Sequence, residues 1–391
     1  MSRACPVCGG TQRFAFLERE RVPVFQNAPR ATADEARAIP RALLRLVACE
    51  SCGFVANDAF DAESMRYAGG YENEQSHSGV FEAHVETLVD GLVRAGVRGK
   101  RVLEAGCGAG AFLRRLCREG GNTGVGFDPA YRGPDEDLDG AVRFVADYYR
   151  GPTGPDAGFD VVISRHVIEH VPDPRALLHA LRAACEDRPA AQLLLETPDV
   201  EWILSHCVVE DFFYEHCSYF PTGALRYAAA CEGFRPTRQT ALFGGQYQWL
   251  ETVADAPEKP ALPDSAEVER ICALARRYAR EVPARIAALE RKVTALAEQG
   301  GVAIWGAGAK GVTLVDLCDP ERRRVACVVD INPRKQGRFV PGTGHPIVAP
   351  EALREKGIRH VIVMNPNYEQ EVTMQAGAVD PTIRIHVADR L

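Results

Sequence analysis

Two glycine-rich turns, each directly behind a short apolar run, constrain this chain more than any other feature. Arg101-Val102-Leu103-Glu104 leads into Gly106-x-Gly108-x-Gly110, and Val302-Ala303-Ile304-Trp305 leads into Gly306-x-Gly308-x-x-Gly311. A strand that ends in glycines and passes into a helix is the opening of a βα unit, with backbone close enough to a ligand to touch it. Around each turn the pattern repeats. Gly124 to Asp128, Phe159 to Ser164 and Gln192 to Glu196 read as further strands of the first unit. Ala326 to Asp330 and His360 to Met364 read as further strands of the second. Strands alternating with helices predict parallel sheets covered on both faces. The fold class is therefore α/β, with two Rossmann-like units.

Between the units, Val268, Ile271, Leu274, Tyr278, Val282, Ile286, Leu289, Val293 and Leu296 recur at helical spacing. They predict a long connecting helix from about 265 to 299, with a kink at Pro283. Another helix is expected from His77 to about Leu92. The expected division is a metal-binding module over 1–70, a first Rossmann-like domain over 71–255, a helical connection over 256–300 and a second Rossmann-like domain over 301–391.

The first 70 residues carry Cys5-x-x-Cys8 and Cys49-x-x-Cys52, each followed by glycine (Gly9, Gly53). One CxxC turn points two thiolates at a centre, and two such turns close a tetrahedral four-sulfur zinc site. With all four positions taken by sulfur, that zinc is structural. The segment between the pairs shows no strong periodicity. Thirteen cysteines in a chain that starts straight into such a motif read as reduced thiols and ligands, which places the protein in the cytoplasm. A net charge of −7 with no basic block argues against nucleic acid, and no apolar run approaches the ~18 residues of a membrane span. A small-molecule partner and a monomeric state are expected.

In the first Rossmann-like unit, acidic side chains stand where a sulfonium nucleoside needs them. Glu104 precedes Gly106, Gly108 and Gly110 and can hold an amino group. Asp128 ends the next strand, where a carboxylate can accept two ribose hydroxyls, and Asp147 suits an adenine amino group. The run Arg165-His166-Val167-Ile168-Glu169-His170-Val171-Pro172-Asp173-Pro174 closes the fourth strand, with His166 beside the cofactor. This set resembles the class I S-adenosylmethionine-dependent methyltransferases.

A narrower resemblance covers essentially the whole chain. The four cysteines, the nucleoside-binding unit, Glu215-His216-x-x-Tyr219-Phe220 and the C-terminal Rossmann-like domain together resemble the zinc-containing nucleoside-diphosphate-deoxysugar C-methyltransferases. That likeness implies that Tyr67-x-x-x-Tyr71 and Gln75-x-x-Ser78 close a lid on the cofactor, with Tyr71 and Ser78 among its contacts. It also implies a catalytic segment of Tyr214, Glu215 and His216. A base removes the proton beside a 4-keto group, and the resulting enolate carbon attacks the methyl. His216 titrates in the right range for that base, Glu215 can orient it, and Tyr214 or Tyr219 can donate to the enolate oxygen. The C-terminal domain would take the nucleotide part of the substrate through Lys310, Lys335 and Tyr368, with Gln246 near the sugar. Two positions depart from the family: Phe213 replaces a tyrosine, and Gln246 replaces a serine. Methyl transfer to nitrogen, oxygen or carbon of another small acceptor stays open. So does an NAD-dependent enzyme built on Gly306-x-Gly308-x-x-Gly311 and Asp330.

Overall fold

The computed structural model describes residues 4–65, 71, 72, 74, 76–152, 157–186, 188–255 and 260–391. Tyr67 and Gln75 lie outside the described residues. Three sheets organise the chain. The first is antiparallel: Arg13–Pro23 (β1), Arg41–Cys49 (β2), Val55–Asn57 (β3) and, far along the chain, Ser218–Tyr219 (β10). The β1–β2 hairpin is long although the sequence shows little alternation. Register shifts between Ala15 and Leu17 and between Arg19 and Val22 explain this, because each bulge flips the inward-facing set by one residue. A short helix, Ala33–Arg37 (α1), lies in its connection.

The second sheet holds eight strands in the order β11-β12-β9-β8-β4-β5-β7-β6. Its parallel centre comprises Arg101–Ala105 (β4), Thr123–Phe127 (β5), Val142–Val145 (β7), Val161–Arg165 (β8) and Gln192–Pro198 (β9). Glu136–Asp137 (β6), Arg235–Leu242 (β11) and Tyr247–Val253 (β12) are antiparallel at the edges. Gly79–Arg94 (α2), Ala111–Gly120 (α3), Pro174–Ala184 (α4), Val200–Ser205 (α5) and Thr222–Cys231 (α6) surround it. Strand order reverses direction between β4 and β8, and ligands of open α/β sheets bind at the carboxyl ends of such strands.

The third sheet is fully parallel: Gly301–Trp305 (β13), Val325–Val329 (β14), Ile347–Val348 (β15), Ile358–Val363 (β16) and Arg384–Val387 (β17). Ala309–Cys318 (α8), Ala352–Glu355 (α9) and Glu369–Val379 (α10) cover it. The connecting helix, Ser265–Ala297 (α7), runs unbroken through Pro283. Its buried stripe, including Ile271, Tyr278, Leu289 and Val293, shares one core with Leu44 and Leu46 of β2 and Ile304 of β13. The long helix therefore packs the N-terminal sheet and the C-terminal domain against a common apolar surface. Among the described residues no helix is long and apolar enough to cross a membrane.

One buried carboxylate locks the C-terminal domain. Asp319, fully buried after α8, accepts from the backbone N–H groups of Arg323, Arg324 and Val325 at 2.8, 2.9 and 2.8 Å. Burial alone would raise its pKa, but His345 and those amides outweigh it and lower the pKa to about 2. The folded value lies below the unfolded one, so the stabilisation is present above pH ~4 and is lost as pH falls toward 2. Asp319→Ala, which strands three amides, is expected to cost roughly 3 kcal/mol in chemical denaturation. It should also remove that acid-dependent component.

Candidate functional site

The glycine turn after β4 is shaped from both sides. A Cβ on Gly106 would lie 2.1 Å from Val167 Cγ2, and one on Gly110 would lie 2.4 Å from the Phe144 ring; both residues have positive φ. At Gly108 a Cβ would meet nothing within 4 Å, so this amide ridge faces open space. The Gly108 N–H donates to Asp128 Oδ2 at 2.9 Å and Ala130 N–H to Oδ1 at 2.7 Å. These bonds fix the carboxylate and leave lone pairs for two hydroxyls. Glu104 is 2% exposed, and its Oε2 has no hydrogen-bond partner. Burial, with Asp128 adding and Arg165 opposing, pushes its pKa up to about 7. A buried carboxylate with one unpaired oxygen, beside an open glycine ridge, fits a cofactor that carries an ammonium group and a ribose.

A second layer stands on β8 and β9. Glu196, fully buried, accepts from His84 Nε2 at 2.7 Å and Arg165 Nε at 2.6 Å. Burial opposes its charge, yet Arg165 and His166 hold its pKa well below the usual carboxylate range. His166 sits at a φ of 54°, a strained value for a non-glycine residue. Its ring lies 3.4 Å from Glu169 Oε1 and 3.7 Å from Glu196 Oε1. Burial works against its protonation, but Glu196 and Glu169 win and raise its pKa to about 9.

The segment before β10 carries the histidines. His170 Nδ1 is 3.0 Å from the Glu215 carbonyl oxygen, and the His170 and His216 rings meet edge to face at 4.6 Å. His216 also packs on Phe213 at 4.1 Å. Burial, with His170, His166 and Lys310 nearby, holds its pKa well below the usual histidine value. Among the described residues its side chain has no hydrogen-bond partner. Glu215 is 1% exposed, and its carboxylate is taken up by Gln26 N–H (2.6 Å), Asn27 N–H (3.1 Å) and Asn27 Nδ2 (3.1 Å). It anchors the backbone next to His216.

The structure thus brings Glu104, Gly106, Gly108, Gly110, Asp128, His166, Glu215 and His216 to one cleft, together with Glu169 and His170. Tyr71 reaches the same place. Although 36% exposed, its phenol is raised well above its usual pKa by burial and by Glu215, against a hydrogen bond from Asn27.

Other expected site residues are directed elsewhere. The Tyr214 hydroxyl accepts from Asp61 N–H at 2.9 Å, and its ring packs on Phe60, so it belongs to the N-terminal core. The Tyr219 hydroxyl closes on the backbone of Phe213, at 3.2 Å to the carbonyl and 3.3 Å from the N–H. Ser78 caps α2 and donates to Glu371 of α10 at 2.6 Å. Asp147 is exposed beyond β7.

Gln246 makes two hydrogen bonds with the Asn365 amide, at 2.7 and 2.9 Å, and accepts from Lys310 Nζ at 3.0 Å. Lys310 is also paired with Asp211 at 2.7 Å. Lys335 is buried against the Ala307 carbonyl and lies 3.7 Å from Asp330. Asp330 accepts from the Ala307 and Asn332 N–H groups, each at 2.8 Å, the same backbone arrangement as at Asp128. Tyr368 meets Phe243 at 5.7 Å. Phe243 in turn stacks on Tyr247 at 5.1 Å, and Tyr247 abuts His166 at 4.6 Å.

Sequence reasoning missed Gln26, Asn27, Asp211 and Tyr247. The first two follow β1 in an irregular stretch with no periodic or motif signal. Glu169, His170, Glu196 and His84 were visible in their segments, but not as members of one cluster.

At the N-terminus Cys5 and Cys52 Sγ are 3.7 Å apart, and Cys8 and Cys49 Sγ 3.6 Å. All four sulfurs lie within 4.8 Å of one another. Gly9 and Gly53 both have a φ of 75°, the left-handed turn that lets each knuckle fold back on its thiolates.

Comparison with known proteins adds to this geometry. Residues 81–239 match the family described as "Methyltransferase domain", and residues 257–382 match "C-methyltransferase C-terminal domain". The chain is 26% identical to C-methyltransferase NovU of Streptomyces niveus over 387 residues, covering 94% of this chain and 90% of that protein. A ubiquinone biosynthesis O-methyltransferase of Erwinia tasmaniensis is 37% identical over 93 residues, 22% of this chain and 37% of that one. Among solved structures, a 1,6-didemethyltoxoflavin-N1-methyltransferase of Burkholderia thailandensis with bound S-adenosylhomocysteine aligns at a TM-score of 0.36 and 18% identity. That alignment covers 45% of this chain and 81% of the other.

A ligand ammonium held by Glu104 needs the carboxylate charged. Calorimetric affinity for S-adenosylhomocysteine is expected to be flat above pH ~7 and to fall by up to ~10-fold per pH unit below it. Glu104→Gln should flatten this profile and weaken binding at pH 8 by about 1.5–3 kcal/mol.

Proposed function

We propose that this chain, an S-adenosylmethionine-dependent methyltransferase, transfers methyl to a carbon of a nucleoside-diphosphate-linked 4-keto-deoxysugar through an enolate. The observation that carries this reading is His216. Its imidazole is kept neutral by burial and neighbouring positive charge, lacks a hydrogen-bond partner among the described residues, and stands against His170, three residues along the chain from the Val167 that abuts Gly106.

S-adenosylmethionine, when bound along Gly106–Gly110 with Asp128 and Glu104, supplies an electrophilic methyl group. The chain's own residues do the rest. His216 takes the proton from the carbon beside the keto group, its lone pair being free near neutral pH. His170, aligned by the Glu215 carbonyl, backs that imidazole. The Tyr214 hydroxyl is committed to Asp61, so donation to the enolate oxygen falls to Tyr71, whose phenol is held beside Asn27 and Glu215. The site acts by holding donor and base at fixed places, so that carbon and methyl meet in line.

Between the two halves lies a crevice of only about 30 Å³, too small to take a nucleotide unless it opens. Trp202, Glu210, Arg285, Lys310, Met364 and Asp389 are among the residues lining it. Lys310 is held there by Asp211 and Gln246, and Arg285 by the Ala388 and Asp389 carbonyls, so a pyrophosphate would have to displace these partners. NovU, similar along nearly its whole length, is named a C-methyltransferase, which agrees with transfer to carbon.

His216→Asn is expected to abolish both methyl transfer and exchange of the acceptor's α-proton with deuterium oxide, by at least ~100-fold. S-adenosylhomocysteine affinity should stay unchanged. Normal exchange in that variant would assign the base elsewhere.

The four-cysteine cluster is proposed to hold one structural zinc. Its second knuckle joins β2 to β3 and packs under α7, with Cys272 Sγ 3.9 Å from the Cys49 carbonyl. Metal analysis should give one zinc per chain. Cys49→Ser should lose the metal and unfold the N-terminal sheet.

A further inference from the structure

Three lone-pair atoms converge in the catalytic cleft with no donor between them. Ligand atoms of Glu169, His170 and His216 all lie within 4.8 Å of one another. Glu169 is 1% exposed; Thr197 Oγ1 donates to its Oε2 at 3.0 Å, while Oε1 is buried without a hydrogen bond. The nearest cationic group to Oε1 is His166 Nδ1, at 3.4 Å, and that ring is shared with Glu196. His170 donates through Nδ1 to the Glu215 carbonyl, which makes Nε2 its lone-pair nitrogen. A backbone acceptor fixing one imidazole nitrogen while the other stays free is the usual support behind a metal-bound histidine. His216 has no hydrogen-bond partner among the described residues.

From this convergence the geometry points to a divalent transition-metal site at Glu169, His170 and His216, distinct from the four-cysteine cluster. One carboxylate and two imidazoles form the mixed donor set that zinc, cobalt and ferrous ions take, with positions left over for water. Bonds of ~2.1 Å put neighbouring donors ~3.4 Å apart in a tetrahedral arrangement. The donor atoms, within 4.8 Å of one another, have at most ~1.4 Å to close to reach that spacing. The turn Ile168–His170 carries two of the ligands, and Thr197 holds the carboxylate from β9.

An ion here uses the lone pair of His216. The consequence rests on the base reading above: a metal ion in excess of the structural zinc inhibits proton removal by occupying the base.

Cobalt(II) chloride, added to the purified protein with its zinc in place and followed by visible absorption and calorimetry, tests the site. One further equivalent should bind, with the spectrum of a nitrogen- and oxygen-ligated ion and no thiolate charge-transfer band. His170→Asn should abolish it, and Glu169→Gln should weaken it at least ~10-fold. Unchanged zinc content and S-adenosylhomocysteine affinity would certify that both variants are folded. If Glu169→Gln fails that check, His216→Asn replaces it. No additional equivalent, or identical titrations in wild type and folded variants, overturns the site. Excess zinc chloride should lower methyl transfer, with recovery on chelation; stimulated turnover overturns the inhibitory role. If His216→Asn transfers methyl normally, the base reading fails, while the cobalt titration still decides the metal site on its own.

Discussion

The carboxylate of Glu215 is the constraint on which the rest of the cleft depends. It is buried, and it is satisfied by groups from residues 26 and 27, nearly two hundred positions earlier in the chain. A buried charge left without those bonds would cost several kcal/mol. The N-terminal hairpin is therefore held against the segment that carries His216. The same backbone supplies the carbonyl that aligns His170, and three residues later it joins the N-terminal sheet as β10. One side chain couples the position of the proposed base to the cysteine-bearing module, which explains how a module without chemistry of its own bears on the site.

Charge in the cleft is graded by partners more than by depth. Glu196, Glu169 and Glu104 are all essentially buried. Glu196 has Arg165, His84 and His166 and stays ionised far below the usual range, whereas Glu104 has an unpaired oxygen and a pKa near 7. The first is a fixture that orients β8 and the strained His166. The second awaits a positive group from outside the chain. The two histidines divide in the same way: His166, between two carboxylates, is raised to about 9, and His216, among aromatic rings and positive charge, is lowered.

Much of the architecture was legible in the residues. Both glycine turns, the parallel strands behind them and the long helix read directly, because period and turn chemistry are local properties. The N-terminal hairpin did not, because its two register shifts break the alternation that marks a strand. Tyr214 shows the limit for the site. Its neighbours on either side in the catalytic segment suggest a role in chemistry, but Tyr214 and Glu215 form a turn, and in a turn side chains adjacent in sequence face different parts of the fold. Tyr214 turns to Phe60 and Asp61 while Glu215 and His216 take the cleft.

The sequence by itself determined the ligand chemistry: four thiolates at knuckle spacing, glycines where backbone must approach a ligand, and carboxylates at strand ends. Each follows from residue type and spacing within a few positions. Only the tertiary structure decided which polar groups remain free to act. Lys335, Gln246 and Tyr219 have the right chemistry for a substrate, yet Asp330 with Ala307, Asn365, and Phe213 already engage them. Gln26 and Asn27, with no motif around them, became the anchors of Glu215. Whether a donor or acceptor is spent inside the protein depends on partners distant in sequence, and pairing across such distances leaves no local pattern to read.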